Sequence, residues 1–120
     1  MANGSYPTKL NEGLHLQRIC FVLKVRLDRI DEYRERHRNV WPAMQEALSS
    51  AGWKDYTLFL RHDGLLVGSL LCEDFASARA AMKSLEINDT WQREMSPFFE
   101  DMGSNPDDQM VPLEEIFHLD

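Results

Sequence analysis

Cysteine is scarce in this chain: Cys20 and Cys72 are the two it has, they form no CxxC pair, and no histidine stands at ligand spacing from them. That excludes a disulfide scaffold and a zinc knuckle, and it leaves both as reduced core residues, since a free cysteine packs as a small hydrophobe. Long apolar runs are missing as well. None approaches the roughly 20 residues that span a bilayer, and the first residues lack the basic-then-apolar order of a signal peptide, so a soluble, intracellular protein is expected. Basic residues are outnumbered, 13 against 20 acidic ones, for a formal net charge of −7. A surface of that sign is not built to neutralise phosphates, which argues against nucleic acid and membrane as partners. The glycine-rich phosphate loop, the GxSxG elbow, the HExxH zinc helix and the EF-hand order of acids are also absent.

With 120 residues and 43% apolar content, the chain can bury one core. Residues 1–17 mix Gly, Asn, Ser, Pro and Lys without a period and read as a flexible N-terminal leader, so residues 18–120 form the single expected domain. From Arg18 to Leu27 the apolar residues Ile19, Phe21, Leu23, Val25 and Leu27 alternate with others, the pattern of a half-buried strand. A helix follows from about Arg29, capped by Asp28 or Asp31, and Trp41-Pro42 interrupts it because a residue before proline is pushed out of the helical region. A second helical piece runs from Pro42 to Ser50, and Gly52 ends it. Asp55 to Arg61 and Leu65 to Cys72 read as strands two and three, joined through Asp63-Gly64.

Phe75, Ala78, Met82 and Leu85 recur at helical spacing behind Asp74, and a shorter helix from Asp89 to Met95, capped by Asn88, ends near Pro97. After a turn-rich stretch, Glu115 to Leu119 reads as a fourth strand. The resulting order, β-α-β-β-α-β, predicts an α+β fold of the ferredoxin-like, split βαβ kind: a four-stranded antiparallel sheet with helices on one face. Its other face needs cover that this chain does not supply. A second copy is the simplest cover, so a homodimer with its sheets face to face, a dimeric α/β barrel, is expected.

The chemistry-bearing stretch is Glu32 to Trp41, E-Y-R-E-R-H-R-N-V-W, where Tyr33 and His37 stand four apart on one helix face. Both can reach one pocket, where an imidazole that titrates near neutrality can exchange protons and a phenol can orient a hydroxyl. The plainer reading of the same spacing is an ordinary tyrosine beside a surface histidine. Tyr56, which shares a strand face with Leu58 and Leu60, and Trp91, with Gln92 beside it, fit either a pocket or the core. Trp41 and Trp53 read as packing residues. Asp107-Asp108 with Glu114-Glu115 suggests a metal site only superficially; these acids lie in or beside a loop and read as solvated, so no metal site is expected.

The segment Y-R-E-R-H-R-N-V-W-P from Tyr33 to Pro42 resembles the corresponding helix of the L-rhamnose mutarotases. The likeness extends through D-Y-T-L-F-L around Tyr56, the helix opened by Trp91, Asn105-Pro106-Asp107 and the closing E-E-I-F-H-L, covering about Arg18 to Leu119. Gln92 departs from the pattern, standing where that family often carries a second tryptophan. The resemblance implies a cytoplasmic dimeric α/β-barrel enzyme that interconverts the α and β anomers of L-rhamnose without a cofactor. It implies His37 as proton donor and Tyr33, Tyr56, Trp91 and Gln92 as substrate contacts. Anomer exchange opens the pyranose, so a proton must reach the ring oxygen while another leaves the anomeric hydroxyl, to a second residue or to water. Two other readings remain at this point: a non-catalytic small-metabolite-binding module of the same architecture, and a cofactor-independent monooxygenase.

Overall fold

The computed structural model describes residues 16–100 and 106–120. Strand β1 spans Gln17–Lys24, β2 Lys54–Leu60 and β3 Leu65–Cys72; the helices are α1 Ile30–Arg38, α2 Pro42–Ser50, α3 Phe75–Lys83 and α4 Glu86–Met95. Single 3₁₀ turns occupy Leu27–Arg29, Ser96–Phe98 and Pro106–Gln109. The sheet is antiparallel throughout with strand order β1-β3-β2, so β3 takes the centre and pairs Phe21 with Gly68 on one side and Leu58 with Gly68 on the other.

The two-residue periodicity of β1 sends Ile19, Phe21 and Leu23 toward the helices, where they join Leu66, Leu70 and Cys72 of β3 in one buried cluster with Phe75, Ala78 and Met82 of α3. Phe21 is wholly buried, and Gly68 makes room for it. A Cβ at residue 68 would lie 2.4 Å from Phe21 Cζ and 3.1 Å from Leu58 Cδ2. The β2–β3 hairpin turns through Gly64 at φ 97°, whose missing side chain lets Val25 donate its backbone N–H to the Gly64 carbonyl at 2.8 Å. Asp74 caps α3 as its sequence position predicts, accepting the Ser77 N–H at 3.2 Å.

The helix break at Trp41-Pro42 and the hairpin lie where the sequence puts them. Other expectations need correction. The first strand ends at Lys24, and Leu27, in a 3₁₀ turn, is exposed. Neither Asp28 nor Asp31 caps α1: Arg29 is its N-terminal boundary, without a side-chain cap, and both acids bind arginines, Asp28 Arg26 and Asp31 Arg34. Asn88 does not cap the last helix but lies within it, buried, because α4 begins at Glu86.

The fourth strand does not form. Among the described residues the sheet has three strands, and the terminal segment makes a single backbone bond to it, from Leu113 N–H to the Cys20 carbonyl. Ile116, Phe117 and Leu119 have strand character but are 87%, 79% and 79% exposed, since strand propensity yields a strand only where a partner offers a ladder. Cys72 is buried as expected, whereas Cys20 is half-buried on the opposite face of the sheet. No helix among the described residues is long and apolar enough to cross a membrane.

Candidate active site

Beneath the sheet, α1, α2, β2, α4 and the 3₁₀ turn at Pro106–Gln109 line an open cavity of about 570 Å³, within the range of small-molecule sites. All five residues singled out from the sequence line it: Tyr33, His37, Tyr56, Trp91 and Gln92. The i, i+4 spacing on α1 puts the rings of Tyr33 and His37 against each other, centroids 4.2 Å apart. Trp91 stands edge-on to His37 at 5.6 Å and is braced by Trp41 at 4.9 Å, so Trp41 packs behind the pocket. Trp53 is a core residue whose indole N–H donates to the Ala78 carbonyl at 3.0 Å.

The state of His37 follows from its partner. Nδ1 lies 3.0 Å from the backbone carbonyl of Tyr33, and a carbonyl can only accept, so Nδ1 carries the hydrogen. Nε2 has no hydrogen-bond partner among the described residues and is left to exchange a proton with a ligand. Burial lowers the imidazole's pKa from its ordinary 6.5, opposed in part by the bond to Tyr33. Burial likewise pushes both phenols well above their usual value, with Tyr56 adding to the shift of Tyr33 and Asp107 to that of Tyr56. Tyr33 and Tyr56 therefore stay protonated and can only donate or accept hydrogen bonds. Neither hydroxyl has a protein partner among the described residues, so both can bond to a ligand or to water.

Two further residues of this cavity were not evident in the sequence. Asp107, read there as a solvated loop acid, is only 8% exposed, and Asn88 is 2% exposed. The Asn88 amide donates to Asp107 Oδ2 at 2.8 Å, and Gln92 donates to Asn88 Oδ1 at 3.4 Å, so one polar chain crosses the wall. Burial raises the Asp107 pKa above 3.8 despite the Asn88 bond and the charges of Lys83 and Arg79. The signal for Asn88 was its spacing, three residues before Trp91 and four before Gln92 on one helix. Asp107 could have been noticed through the Asn105-Pro106-Asp107 likeness, of which Asn105 lies outside the described residues. Among the described residues no group of acids, histidines and cysteines is arranged to hold a metal.

The fold and cavity define a small α+β domain with a pocket of small-molecule size lined by His37, two tyrosines and Trp91. The profile of the L-rhamnose mutarotase family matches residues 18–119. The L-rhamnose mutarotase of Bacillus subtilis is 34% identical over 108 residues, covering 88% of this chain and 100% of that protein. That of Shouchella clausii is 38% identical over 101 residues, covering 82% and 93%. The crystal structure of L-rhamnose mutarotase from Formosa agariphila superposes with a TM-score of 0.70 at 25% identity, covering 87% of this chain and 99% of that one. This chain belongs to the L-rhamnose mutarotase family.

Proposed function

We propose that this chain catalyses exchange between the α and β anomers of L-rhamnose by general acid/base opening and closing of the pyranose ring, without a cofactor. The observation that carries the reading is the His37 imidazole in the cavity, held by the Tyr33 carbonyl with Nε2 free. In this mechanism His37, in its imidazolium form, gives its Nε2 proton to the ring oxygen as the bond from it to the anomeric carbon breaks, while the anomeric hydroxyl loses its own proton to a second residue or to water. Rotation about the first carbon–carbon bond then presents the other carbonyl face, and the ring closes with the proton returned.

Tyr33, Tyr56 and Gln92 supply hydrogen bonds to sugar hydroxyls, and the Trp91 indole lies against the apolar C–H face. Met44, Met82, Met95 and Met110 line the same cavity and form an apolar wall suited to the methyl group of a 6-deoxy sugar. Two free cysteines suit a reducing compartment, in keeping with a cytoplasmic enzyme.

The working unit is a homodimer, the dimeric α/β barrel. The sheet face away from the helices carries Val22, Phe59, Val67 and Leu71; Val22 is 39% and Phe59 61% exposed. A second copy placed sheet to sheet covers them. Light scattering should give twice the chain mass at micromolar concentration, and the mass of one chain would refute the dimer.

Saturation-transfer NMR on a rhamnose solution tests the activity directly, since it reports anomer exchange without a coupled enzyme. The protein should speed exchange above the uncatalysed rate, and His37→Asn should lower that effect by roughly 10²- to 10⁴-fold while leaving binding largely intact. Binding of rhamnose with no change in exchange rate would make the chain a metabolite-binding module instead. Oxygen consumption with a quinol substrate would make it a monooxygenase.

A further inference from the structure

Ring opening moves two protons, and His37 accounts for one. We propose that Asp107 is the second catalytic residue: its carboxylate takes the anomeric hydroxyl proton while His37 supplies one to the ring oxygen. This inference rests on the mutarotase reading above.

The geometry singles Asp107 out. Among the described residues it is the one buried carboxylate, and it opens on the same cavity as His37, Tyr33 and Tyr56. Its Oδ2 is fixed by Asn88, while Oδ1 has no hydrogen-bond partner among the described residues. A buried carboxylate oxygen left without a donor is costly in a structural site and useful where a hydroxyl is to be bound. The turn that carries it is fastened to α3: Arg79 Nη2 donates to the Asp107 carbonyl at 2.7 Å, and Lys83 Nζ binds Asp108 Oδ1 at 2.7 Å. The charged and titratable groups around Asp107 are thus Arg79 and Lys83 from α3, Tyr56 from β2 and Asp108 beside it. His37 faces Tyr33 on its own helix and Trp91 on α4.

The step balances with one proton shared by the pair. In the first half, the anomeric O–H bond breaks toward Asp107, the oxygen's electron pair forms the carbonyl, and the bond from the anomeric carbon to the ring oxygen breaks. The ring oxygen then takes the His37 proton. The reactive form, drawn from the equilibrium with neutral imidazole, carries protonated histidine and ionised aspartate; the transfers leave neutral imidazole and carboxylic acid. Closure on the other face runs the same transfers backward and restores the starting state. Burial brings the two proton placements closer in energy, because it lowers His37 from 6.5 and raises Asp107 from 3.8. A catalyst for a reversible reaction between near-isoenergetic anomers needs such a balance.

The test compares wild type, His37→Asn and Asp107→Asn by saturation transfer, with rhamnose affinity from calorimetry and folding from circular dichroism. Asp107→Asn keeps the shape and an oxygen for Asn88, so it should bind sugar while exchange falls roughly 10²- to 10⁴-fold. The bell-shaped pH profile of the wild type should lose its acid limb. If wild type catalyses exchange and folded Asp107→Asn does so within a few-fold of it, Asp107 is not catalytic and the mutarotase reading stands. If wild type catalyses none, that reading itself fails. Should Asp107→Asn not fold, Asn88→Ala decides: losing the bond that lowers the Asp107 pKa should move the acid limb to higher pH, and an unmoved limb overturns the proposal.

Discussion

Replacing Gly68 by alanine adds one methyl group at a crowded point of the sheet, and its cost can be worked from the contacts. The new Cβ would lie 2.4 Å from Phe21 Cζ and 2.7 Å from Cε1, well inside van der Waals distance, with Leu58 Cδ2 at 3.1 Å on its other side. Phe21 is 0% exposed and belongs to the buried core, so a shift of its ring is passed on to core neighbours. Overpacking of this kind costs about 1 to 3 kcal/mol. Because Gly68 does not occupy the left-handed region, alanine meets no backbone strain there, and the cost comes from the contacts, chiefly with Phe21 and less with Leu58. For a domain of this size a mid-range cost near 2 kcal/mol lowers Tm by about 5 to 10 °C. Phe21 also packs against Tyr56, ring centroids 6.4 Å apart, so its displacement should reach the cavity and raise KM for the sugar. Thermal and urea melts of wild type, Gly68→Ala, Phe21→Leu and the double variant form a cycle in which the smaller leucine should relieve the clash. Strictly additive losses, or a Gly68→Ala protein that melts at or above wild type, would refute the reasoning.

Two further outcomes follow from the site. Trp91→Ala should raise KM with kcat little changed, because a stacking face holds ground state and transition state alike; a collapse of kcat at constant KM in steady-state kinetics would contradict that role. The depressed pKa of His37 also makes folding depend on pH. Above 6.5 the residue is neutral in both states and its contribution is intact; as pH falls, the unfolded chain takes the proton first and stability is lost until the folded pKa is passed. The Tm difference between wild type and His37→Asn should therefore shift against wild type on acidification from about pH 7.5 to 5, and a constant difference would exclude the coupling.

How much of this was legible depended on whether the information was local. Tyr33 and His37 were readable because one helical repeat dictates that residues four apart meet, and the Asp74 cap and the Gly64 hairpin turn were readable for similar reasons. Trp91 and Gln92 could not be told from core by spacing, and family likeness singled them out. Asp107 was misread because its burial is decided by groups distant in sequence: Arg79, Lys83 and Asn88 draw an acidic turn against the helices. The missing strand shows the converse. Glu115 to Leu119 has the pattern of a strand, but pairing needs an edge, and from the terminal segment β1 accepts only the Leu113 N–H.

The bond that sets the tautomer of His37 bears on how the site withstands mutation. Where a catalytic histidine is oriented by a carboxylate, one codon change can delete the orienting group. Here the acceptor is the peptide carbonyl of residue 33, which every amino acid provides, so the proton stays on Nδ1 whatever side chain occupies that position, provided α1 remains helical. On the proposed mechanism, drift at residue 33 would alter how sugar is held long before it altered which nitrogen does the chemistry, which would leave substrate range free to change while proton transfer persists.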